Sequence, residues 1–319
     1  MSSTQTSIHP VTEASNGMKK VVVTGGAGFI GSHLSEALLA KGYEIHVVDN
    51  LANGRREDVP DGAVFHELDV LDTEKLLPIV SGADTVFHLA ALPRVPFSYD
   101  HPVESHRANI DGTFSVLMAS RNGKVRRVVY AASSSSYGDQ DTLPFTEDMR
   151  PAPMSLYSFQ KLVGEEYARL FSENYGLETV SLRFFSVYGS RMRPDGGYAL
   201  ALPKFLQCVK EGVACPVTGD GEQTRDFTHV QDVVRACMSA MDAPTVGKGE
   251  VINIAAGRNI SINALVALIG GTAEYIPKRP ADAKDTYGSN AKARALLAWS
   301  PEISLEEGVA ELKKEYDIL

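Results

Sequence analysis

Apolar residues follow two rhythms along this chain. Short runs rich in valine, isoleucine and phenylalanine are typical of buried strands, and the longer segments between them repeat apolar residues at helical spacing. The predicted strands are Val21–Val23, Tyr43–Asp49, Ala63–Leu68, Asp84–Ala91, Val125–Ala132 and Thr179–Val187. The predicted helices between them are Phe29–Leu39, Thr73–Val80, Pro102–Arg121 and Ser155–Tyr175. Strands that alternate with helices indicate an α/β fold with a doubly wound parallel sheet.

From Tyr188 onward, Gly and Pro break the chain into shorter pieces. The pattern there predicts a turn at Gly219–Gly221, a strand at Val251–Ile254, and helices at Pro203–Glu211, Val230–Met241, Ser261–Ile269 and Asn290–Ala298. We therefore expect a disordered tail over residues 1–18 and a first domain over 19–187 that also receives segments near 226–256. A smaller C-terminal α/β domain over 188–319 would bind substrate, in a cleft at the carboxyl ends of the strands.

Composition excludes some classes of function. The 319-residue chain can bury a full core, and its formal net charge of −9 argues against a broad nucleic-acid-binding surface. Its three cysteines, Cys208, Cys215 and Cys237, have no CxxC or zinc spacing, so we expect no metal site and a reducing compartment. Residues 1–18 lack the apolar core of a signal peptide, and no apolar run approaches membrane-spanning length. We expect a cytoplasmic protein without a membrane partner.

The segment Lys19–Ser32 combines a strand, a glycine-rich turn and the start of a helix. Glycines at positions 25, 28 and 31 allow a tight turn and bring backbone N–H groups close to a pyrophosphate at the helix N-terminus. Asp49 ends the next strand, where a carboxylate binds the ribose of NAD and would repel the 2′-phosphate of NADP. The alternative is an ordinary glycine turn with a chance acid downstream. The agreement of glycines, flanks and acid favours a Rossmann-type domain that binds NAD.

Tyr157 and Lys161 lie four residues apart on a predicted helix and so share one face. A nearby ammonium favours the phenolate, and we expect Lys161 to lower the pKa of Tyr157 toward the range of a general base. Ser133–Ser136 end a strand at the same sheet edge, where a hydroxyl could bind a substrate oxygen. Alone, the helical pair is common on protein surfaces and the serines suit a polar turn; their combination with the glycine motif is what points to catalysis.

With these motifs in this order, the chain resembles the extended short-chain dehydrogenase/reductase family, and within it the nucleotide-sugar epimerases. The matching segments are TGGAGFIGSH, HLAA, ASSSSYGD, YSFQK, RFFSVYG and GDGEQTRDF. The resemblance implies that Ser133 and Tyr157 are catalytic, with Tyr157 as the base, and that Lys161 is catalytic and also holds the nicotinamide ribose. It implies NAD contacts from Gly25, Gly28, Phe29, Ile30, Asp49, Asn50, Asp69, Val70, Ala90, Ala91 and Asn109.

The resemblance also implies a UDP-sugar substrate. The positions it assigns to that substrate are Ser134, Ser186, Leu200, Ala201, Pro216, Val217, Arg225, Arg279, Asp282 and Thr286. Planar guanidinium groups suit a diphosphate, although either arginine could be a solvated surface charge. At the position of Ser186 many epimerases carry Asn, which contacts the sugar phosphate. Serine is shorter, so in this chain that contact would be lost or mediated by water.

The reaction that the resemblance favours is 4-epimerisation through a 4-keto sugar. Family dehydratases and decarboxylases carry Glu where this chain has Ser135, and a serine cannot serve as that acid or base. Thr286 leaves room for an N-acetyl group, so UDP-hexoses or UDP-N-acetylhexosamines are preferred. Arg193-Pro194-Asp195 keeps UDP-glucuronate open, because an arginine there could pair with a sugar carboxylate. A non-catalytic NAD-binding regulator is the alternative from another class, and a homodimer through Pro102–Arg121 and Ser155–Tyr175 is expected.

Overall fold

A computed structural model describes residues 18–193, 201–278 and 283–318. Its strands are β1 Lys20–Thr24, β2 Glu44–Asp49, β3 Val64–Glu67, β4 Thr85–His88, β5 Arg127–Ser133, β6 Glu178–Phe184, β7 Val187–Tyr188, β8 Cys215–Thr218, β9 Thr224–Arg225, β10 Thr228–His229, β11 Lys248–Ile254, β12 Ile260–Ser261 and β13 Ala273–Ile276. Seven of them form one parallel sheet in the order β11-β6-β5-β4-β1-β2-β3. The structure thus confirms the predicted doubly wound parallel sheet.

The described residues form eleven α-helices, some of which cover the two faces of this sheet. They are α1 Phe29–Ala40, α2 Thr73–Val80, α3 Val95–Asp100, α4 Pro102–His106, α5 Gly112–Asn122, α6 Leu156–Tyr175, α7 Ala201–Glu211, α8 Val230–Asp242, α9 Ile262–Ile269, α10 Ala291–Leu297 and α11 Leu305–Glu315. A π-helical turn at Arg107–Asp111 joins α4 to α5, and short 3₁₀ turns occupy Arg56–Asp58 and Ser134–Tyr137.

The three central positions of strand β1 are all valine, and the packing of the strand explains why. Val21 and Val23 pack in the cluster that contains residues of α1 and α8, whereas Val22 packs in the cluster with residues of α2 and α5. Successive side chains of a strand point to opposite faces, so a strand covered on both faces needs an uninterrupted apolar run. All three valines are fully buried.

Residues after β7 contribute to both the sheet and a second core. Strand β11 forms the edge of the sheet next to β6, and α8 packs on the same face as α1. The buried Arg127 side chain fastens the end of α8, donating to the carbonyl oxygens of Ala240 at 2.7 Å and Val246 at 2.8 Å. A separate apolar cluster joins α7, α9 and α11 with the parallel pair β8 and β13. The proposed domain boundary near residue 187 stays a prediction.

Most of the predicted elements occur with shifted ends. The predicted helix Pro102–Arg121 contains the π-helical turn, and the predicted strand Thr179–Val187 divides into β6 and β7. The sequence pattern missed α3, α11, β8 and β13. Helix α11 had a readable signal, because Ser304 and Glu307 form a capping box at its start. The expected disordered tail lies outside the described residues except for Met18.

Candidate active site

The glycine turn after β1 lies against the loop that follows β4. Gly25 has φ 73°, and its N–H donates to the Val48 carbonyl at 2.8 Å. A Cβ atom on Gly25 would lie 2.6 Å from the Ala90 nitrogen, and one on Gly31 would overlap the Gly25 carbonyl. Gly28 is the N-cap of α1, and the first N–H groups of a helix have no partner within it. This is a cradle for a pyrophosphate, and it fits a dinucleotide.

Asp49, at the end of β2, is fastened to the same turn. Its Oδ2 accepts from the Ala27 N–H at 3.0 Å and its Oδ1 from the Leu51 N–H at 2.8 Å. Burial raises the pKa of Asp49, and these two N–H groups oppose that shift. The Asp49 carboxylate therefore holds the glycine turn in shape, and the sequence did not predict this role. The predicted contact of Asp49 with the NAD ribose stays a prediction. The structure brings Asn50 to Asp69, with Nδ2 3.0 Å from Oδ2, and buries the adjacent Val70.

Asn109 holds the loop that continues from Ala90 and Ala91. Its Oδ1 accepts from the Leu92 N–H at 2.9 Å, and its Nδ2 donates to the Leu92 carbonyl at 3.1 Å and to Gln160 Oε1 at 2.8 Å. Asn109 lies in the π-helical turn, a distortion that frequently marks functional sites. The loop is therefore tied to α6 close to Tyr157, and Gln160 is a supporting residue that the sequence did not single out.

Tyr157 lies in the first turn of α6. The helix starts with a capping box between Ser155 and Ser158, and the Tyr157 N–H donates to Ser98 Oγ at 3.3 Å. Ser133, at the carboxyl end of β5, has its Oγ 2.8 Å from Ser135 Oγ. Burial raises the pKa of Tyr157, while the positive charge of Arg94 and a hydrogen bond from Ser133 act against that rise. The structure thus brings Ser133 and Tyr157 together, as their positions in the sequence predicted.

Lys161 is buried one turn further along α6. Its Nζ donates to the Ala131 carbonyl at 2.9 Å and lies 5.0 Å from the centre of the Tyr130 ring. Burial lowers the pKa of Lys161 to about 8, and the carboxylate of Glu165 opposes this. That Lys161 lowers the pKa of Tyr157 stays a prediction. The ammonium is engaged with β5, and the net shift of Tyr157 is upward.

A buried ion pair between Arg183 and Glu165 lies next to Lys161 along α6. The Arg183 Nε donates to Glu165 Oε1 at 2.9 Å and its Nη2 to Oε2 at 2.7 Å, and both side chains are almost fully buried. The guanidinium also lies over the Tyr137 ring at 4.4 Å, and the Tyr137 hydroxyl donates to Asn253 Oδ1 at 2.8 Å. These contacts join α6, β6, the serine turn and β11.

The segment 283–288 lies beside the serine turn and β9. The Lys284 N–H donates to Asp139 Oδ1 at 2.9 Å, and the Thr286 N–H donates to the Thr224 carbonyl at 3.1 Å. Arg225 on β9 donates through Nη1 to the Thr224 carbonyl at 2.7 Å. The structure therefore places Arg225 and Thr286 near each other, on the side of the serine turn where the sequence expected a substrate.

The remaining substrate candidates are placed as follows. Ser134 begins the 3₁₀ turn after Ser133, and Ser186 lies between β6 and β7, where its carbonyl accepts from the Thr228 N–H at 3.3 Å. Ala201 is exposed at the start of α7, Pro216 is partly buried on β8, and Val217 is fully buried there. Leu200, Arg279 and Asp282 lie outside the described residues. Their roles stay predictions.

Asp226 is a buried acid that the sequence reading passed over. Its carboxylate accepts from the N–H groups of Ala256 at 2.9 Å, Gly257 at 3.1 Å and Gly288 at 3.1 Å. Burial raises the pKa of Asp226 to about 7, against the effect of these donors. The residue links the end of β11 to the segment that carries Thr286, so it positions the expected substrate side. Within the ranges that the structure describes, no cluster of potential metal ligands and no helix able to cross a membrane is found.

A dinucleotide cradle at the carboxyl ends of the parallel strands, with Ser133 at the end of β5 and Tyr157 and the buried Lys161 on α6, is the arrangement of the short-chain dehydrogenase class. The comparison with known families agrees: a model of the NAD dependent epimerase/dehydratase family matches residues 21–255. The chain belongs to this family, and its cofactor is NAD.

Known proteins similar to this chain include epimerases of nucleotide sugars. A UDP-glucose 4-epimerase of Mycolicibacterium smegmatis is 33% identical over 305 residues, which cover 92% of this chain and 96% of the relative. The structure of a Thermotoga maritima UDP-glucose 4-epimerase with UDP-glucose has a TM-score of 0.89 at 36% identity and covers 94% and 98% of the two chains. A UDP-N-acetylglucosamine 4-epimerase from Methanobrevibacter ruminantium, in complex with UDP-N-acetylmuramic acid, has a TM-score of 0.89 at 33% identity, with the same coverage.

Proposed function

We propose that the protein is an NAD-dependent 4-epimerase of UDP-sugars. The observation that carries this proposal is the placement of Ser133 at the carboxyl end of β5, with its Oγ 2.8 Å from Ser135 Oγ, on the sheet side of the α6 turn that carries Tyr157. Hydroxyl groups at these positions can move a proton on and off a sugar hydroxyl. A carboxylate for elimination or decarboxylation is missing from that turn, Ser134–Tyr137.

Residues 19–187, with the segments near 226–256, would hold NAD, and residues 188–319 would hold most of the nucleotide sugar. Gly25, Gly28 and the first turn of α1 would bind the pyrophosphate of NAD, and Asp49 with Asn50 its adenosine ribose. Bound NAD supplies reversible hydride exchange at C4 of the sugar, so that both C4 epimers are reachable through a 4-keto sugar.

The chain's own part is proton transfer and positioning. Tyr157 as phenolate accepts the proton of the sugar 4-hydroxyl, and Ser133 bridges the two oxygens. The same phenol returns that proton when the alcohol is re-formed, so no net proton is taken from solvent. Lys161, held by the Ala131 carbonyl, would orient the nicotinamide ribose. Arg225 would bind the diphosphate, which leaves the sugar free to present either face.

A neutral sugar is the preferred substrate. Arg193, which could have paired with the carboxylate of UDP-glucuronate, forms an ion pair with Asp58. The rest of that motif, residues 194–198, lies outside the described residues. UDP-glucose and UDP-galactose, and UDP-N-acetylhexosamines if Thr286 leaves the room, are therefore favoured over UDP-glucuronate.

NMR of the purified protein with UDP-glucose, UDP-N-acetylglucosamine and UDP-glucuronate, in separate tubes without added reductant, tests the reaction. Growth of C4-epimer signals at unchanged mass is expected with at least one neutral sugar. A product lighter by water or carbon dioxide would instead assign a dehydratase or decarboxylase.

Tyr157→Phe separates the enzyme from a non-catalytic NAD-binding regulator. The variant should bind NAD as the wild type does but lose turnover, whereas Tyr167→Phe, which removes a hydroxyl from the same helix, should keep it. Turnover that survives in Tyr157→Phe would remove Tyr157 from the role of base.

We also propose a homodimer through α4, α5 and α6. These helices expose large apolar side chains, namely Val103, Phe114, Leu156, Phe159 and Leu170. Contiguous apolar surface on a protein is typical of an interface. Light scattering should give twice the chain mass, and Phe159→Glu should shift it toward the monomer; a wild-type monomer would contradict the proposal.

We propose a cytoplasmic location because of the state of the cysteines. Cys208, Cys215 and Cys237 are buried free thiols, as expected of a reducing compartment.

A further inference from the structure

His88 is a buried imidazole at the carboxyl end of β4, just before the loop that carries Ala90 and Ala91. Its Nδ1 lies 2.8 Å from Thr24 Oγ1 on β1, and its Nε2 lies 3.0 Å from Thr113 Oγ1 on α5. Both ring nitrogens therefore have a hydroxyl partner, and all three side chains are almost completely buried. These contacts join the strand before the glycine turn to the helix after the π-helical turn.

The hydrogen bonds of the two threonines decide which ring nitrogen of His88 carries the proton. Burial lowers the pKa of His88 to about 3, so the ring is neutral and has one N–H group. The Thr113 hydroxyl donates its only proton to the Asn109 carbonyl at 2.7 Å, so it can only accept from the ring. The proton therefore lies on Nε2, and Nδ1 accepts from the Thr24 hydroxyl.

Each end of this chain of hydrogen bonds reaches a part of the expected NAD site. At one end, Thr24 directly precedes Gly25 of the glycine turn, and its Oγ1 accepts from the Ala90 N–H at 3.5 Å. At the other end the chain stops on Asn109, whose Nδ2 donates to Gln160 Oε1 of α6 at 2.8 Å. The imidazole between them thus links the glycine turn to the catalytic helix.

The His88 ring also packs toward Lys161. The centre of the Tyr130 ring lies 5.7 Å from that of His88, and the Lys161 ammonium lies 5.0 Å from the same Tyr130 centre. The Tyr130 hydroxyl donates to the Lys161 carbonyl at 3.4 Å, and a Cβ atom on Gly164 would overlap this hydroxyl. Tyr130 is confined between the imidazole and α6, so a displaced imidazole would also move the ring beside Lys161.

We propose that His88 is a positioning residue whose single Nε2–H group sets the spacing between the glycine turn and α6. The inference rests on the proposed 4-epimerase function, in which the cofactor turn and the side chains of α6 act on one sugar. His88 exchanges no proton in that reaction. An apolar side chain here could fill the same space, but it would leave two buried hydroxyls without this partner and the two turns without their link.

Paired substitutions of Thr113 separate the hydrogen bond from packing. Thr113→Val keeps the shape of the side chain but leaves the His88 N–H without an acceptor, whereas Thr113→Ser keeps the hydroxyl and loses a methyl group. In the NAD-loaded enzyme, Thr113→Val should lower kcat about tenfold or more at an unchanged KM for the sugar, and Thr113→Ser should keep kcat near that of the wild type. A normal kcat in Thr113→Val, or a loss confined to KM, would overturn the inference.

Thr85→Val is the matched control. Thr85 is fully buried at the amino end of the same strand, and its hydroxyl donates to Asp84 Oδ2 at 2.9 Å and accepts from Arg126 Nη2 at 3.3 Å. This substitution also removes a buried hydroxyl with two partners, so its melting temperature should fall as in Thr113→Val while kcat stays normal. An equal loss of kcat in both valine variants would overturn the inference, because it would make the loss a general result of lower stability.

NMR tests the proton on His88 without any turnover. Correlation spectra of the imidazole nitrogens distinguish a protonated from an unprotonated nitrogen, and the signals that disappear in His88→Asn or shift in Thr113→Val assign those of His88. They should show a proton on Nε2 alone at neutral pH. A proton on Nδ1, or on both nitrogens, would overturn the inference.

Amide hydrogen exchange of the NAD-loaded protein, followed by mass spectrometry, tests the link itself. Residues 89–93 and 107–113 should exchange faster in Thr113→Val than in Thr85→Val, because the glycine turn and the Asn109 turn lose their connection. Equal exchange in the two variants would overturn the inference. If the exchange and the NMR results hold while the wild type turns over no UDP-sugar, the proposed function fails and the positioning role of His88 stands.

Discussion

The buried ion pair between Glu165 and Arg183 should contribute strongly to stability, and the adjacent residue Glu166 offers a matched control. Glu165→Ala leaves the Arg183 guanidinium buried without its carboxylate, and removing one partner of a buried pair costs about 3–5 kcal/mol. The next residue, Glu166, is exposed and pairs with Arg169 on the helix surface at 2.9 Å. Exposed pairs contribute about 0–1 kcal/mol, so Glu166→Ala should cost no more than that.

Urea unfolding followed by circular dichroism measures the difference. We expect a lower midpoint for Glu165→Ala at an unchanged slope, and a fall in melting temperature of roughly 6–10 °C if a protein of this size loses about 2 °C per kcal/mol. Replacing both partners by Glu165→Leu and Arg183→Leu should recover much of the loss, because it leaves no unpaired charge.

The contradicting outcome is equal stability of Glu165→Ala and Glu166→Ala. It would mean that Arg183 is stabilised in another way, either by a new hydrogen bond from its Nη1, which has none at present, or by the Tyr137 ring at 4.4 Å. The same variants report on Lys161. Since the charge of Glu165 supports the protonated lysine, its loss should lower the pKa of Lys161 further below about 8.

Three other changes test the site. Gly25→Ala would put a Cβ atom 2.6 Å from the Ala90 nitrogen at a φ of 73°, and calorimetry should show that NAD binds about tenfold or more weakly. The matched control is Gly42→Ala, where φ is 84° and no atom lies within 4 Å of the added Cβ, and this variant should bind NAD normally. Asn109→Leu removes the two hydrogen bonds to the Leu92 backbone, so kcat should fall about tenfold or more while NAD still binds. A normal kcat would show that the position of this loop does not depend on Asn109. Asp226 has a pKa of about 7 in the folded protein, above its unfolded value of 3.8, so its favourable contribution is complete below about pH 4 and is lost as pH rises through 7. Relative to Asp226→Asn, the wild type should therefore lose up to about 4 kcal/mol of unfolding free energy between pH 4 and 8 in urea titrations, and parallel pH profiles would refute the raised pKa.

Local sequence patterns predicted the fold well because its main signals are local. Three consecutive valines before a glycine turn identify β1, since a strand buried on both faces has no other composition available. Segments with weak local patterns were missed. Cys215–Thr218 is four residues long and contains a proline, and it becomes a strand only because Ala273–Ile276 pairs with it.

The candidate catalytic groups could be chosen from the sequence, but their electrostatics could not. Ser133, Tyr157 and Lys161 are expected from the order of the motifs, whereas the burial that raises the pKa of Tyr157 arises only when the elements pack. The Asn109–Gln160 contact likewise joins residues 51 positions apart. Such partnerships depend on how elements pack, and the pKa of a buried phenol depends on burial that a helical spacing does not report.

The place of β11 in the sheet has a consequence for how the protein is made on the ribosome. Strand β6 pairs with β11, whose residues 248–254 are synthesised some 70 positions later. Until then a nascent chain exposes the hydrogen-bonding edge of β6 and the apolar residues that α8 will cover. A fragment that stops near residue 187 should therefore aggregate rather than yield an isolated cofactor-binding unit.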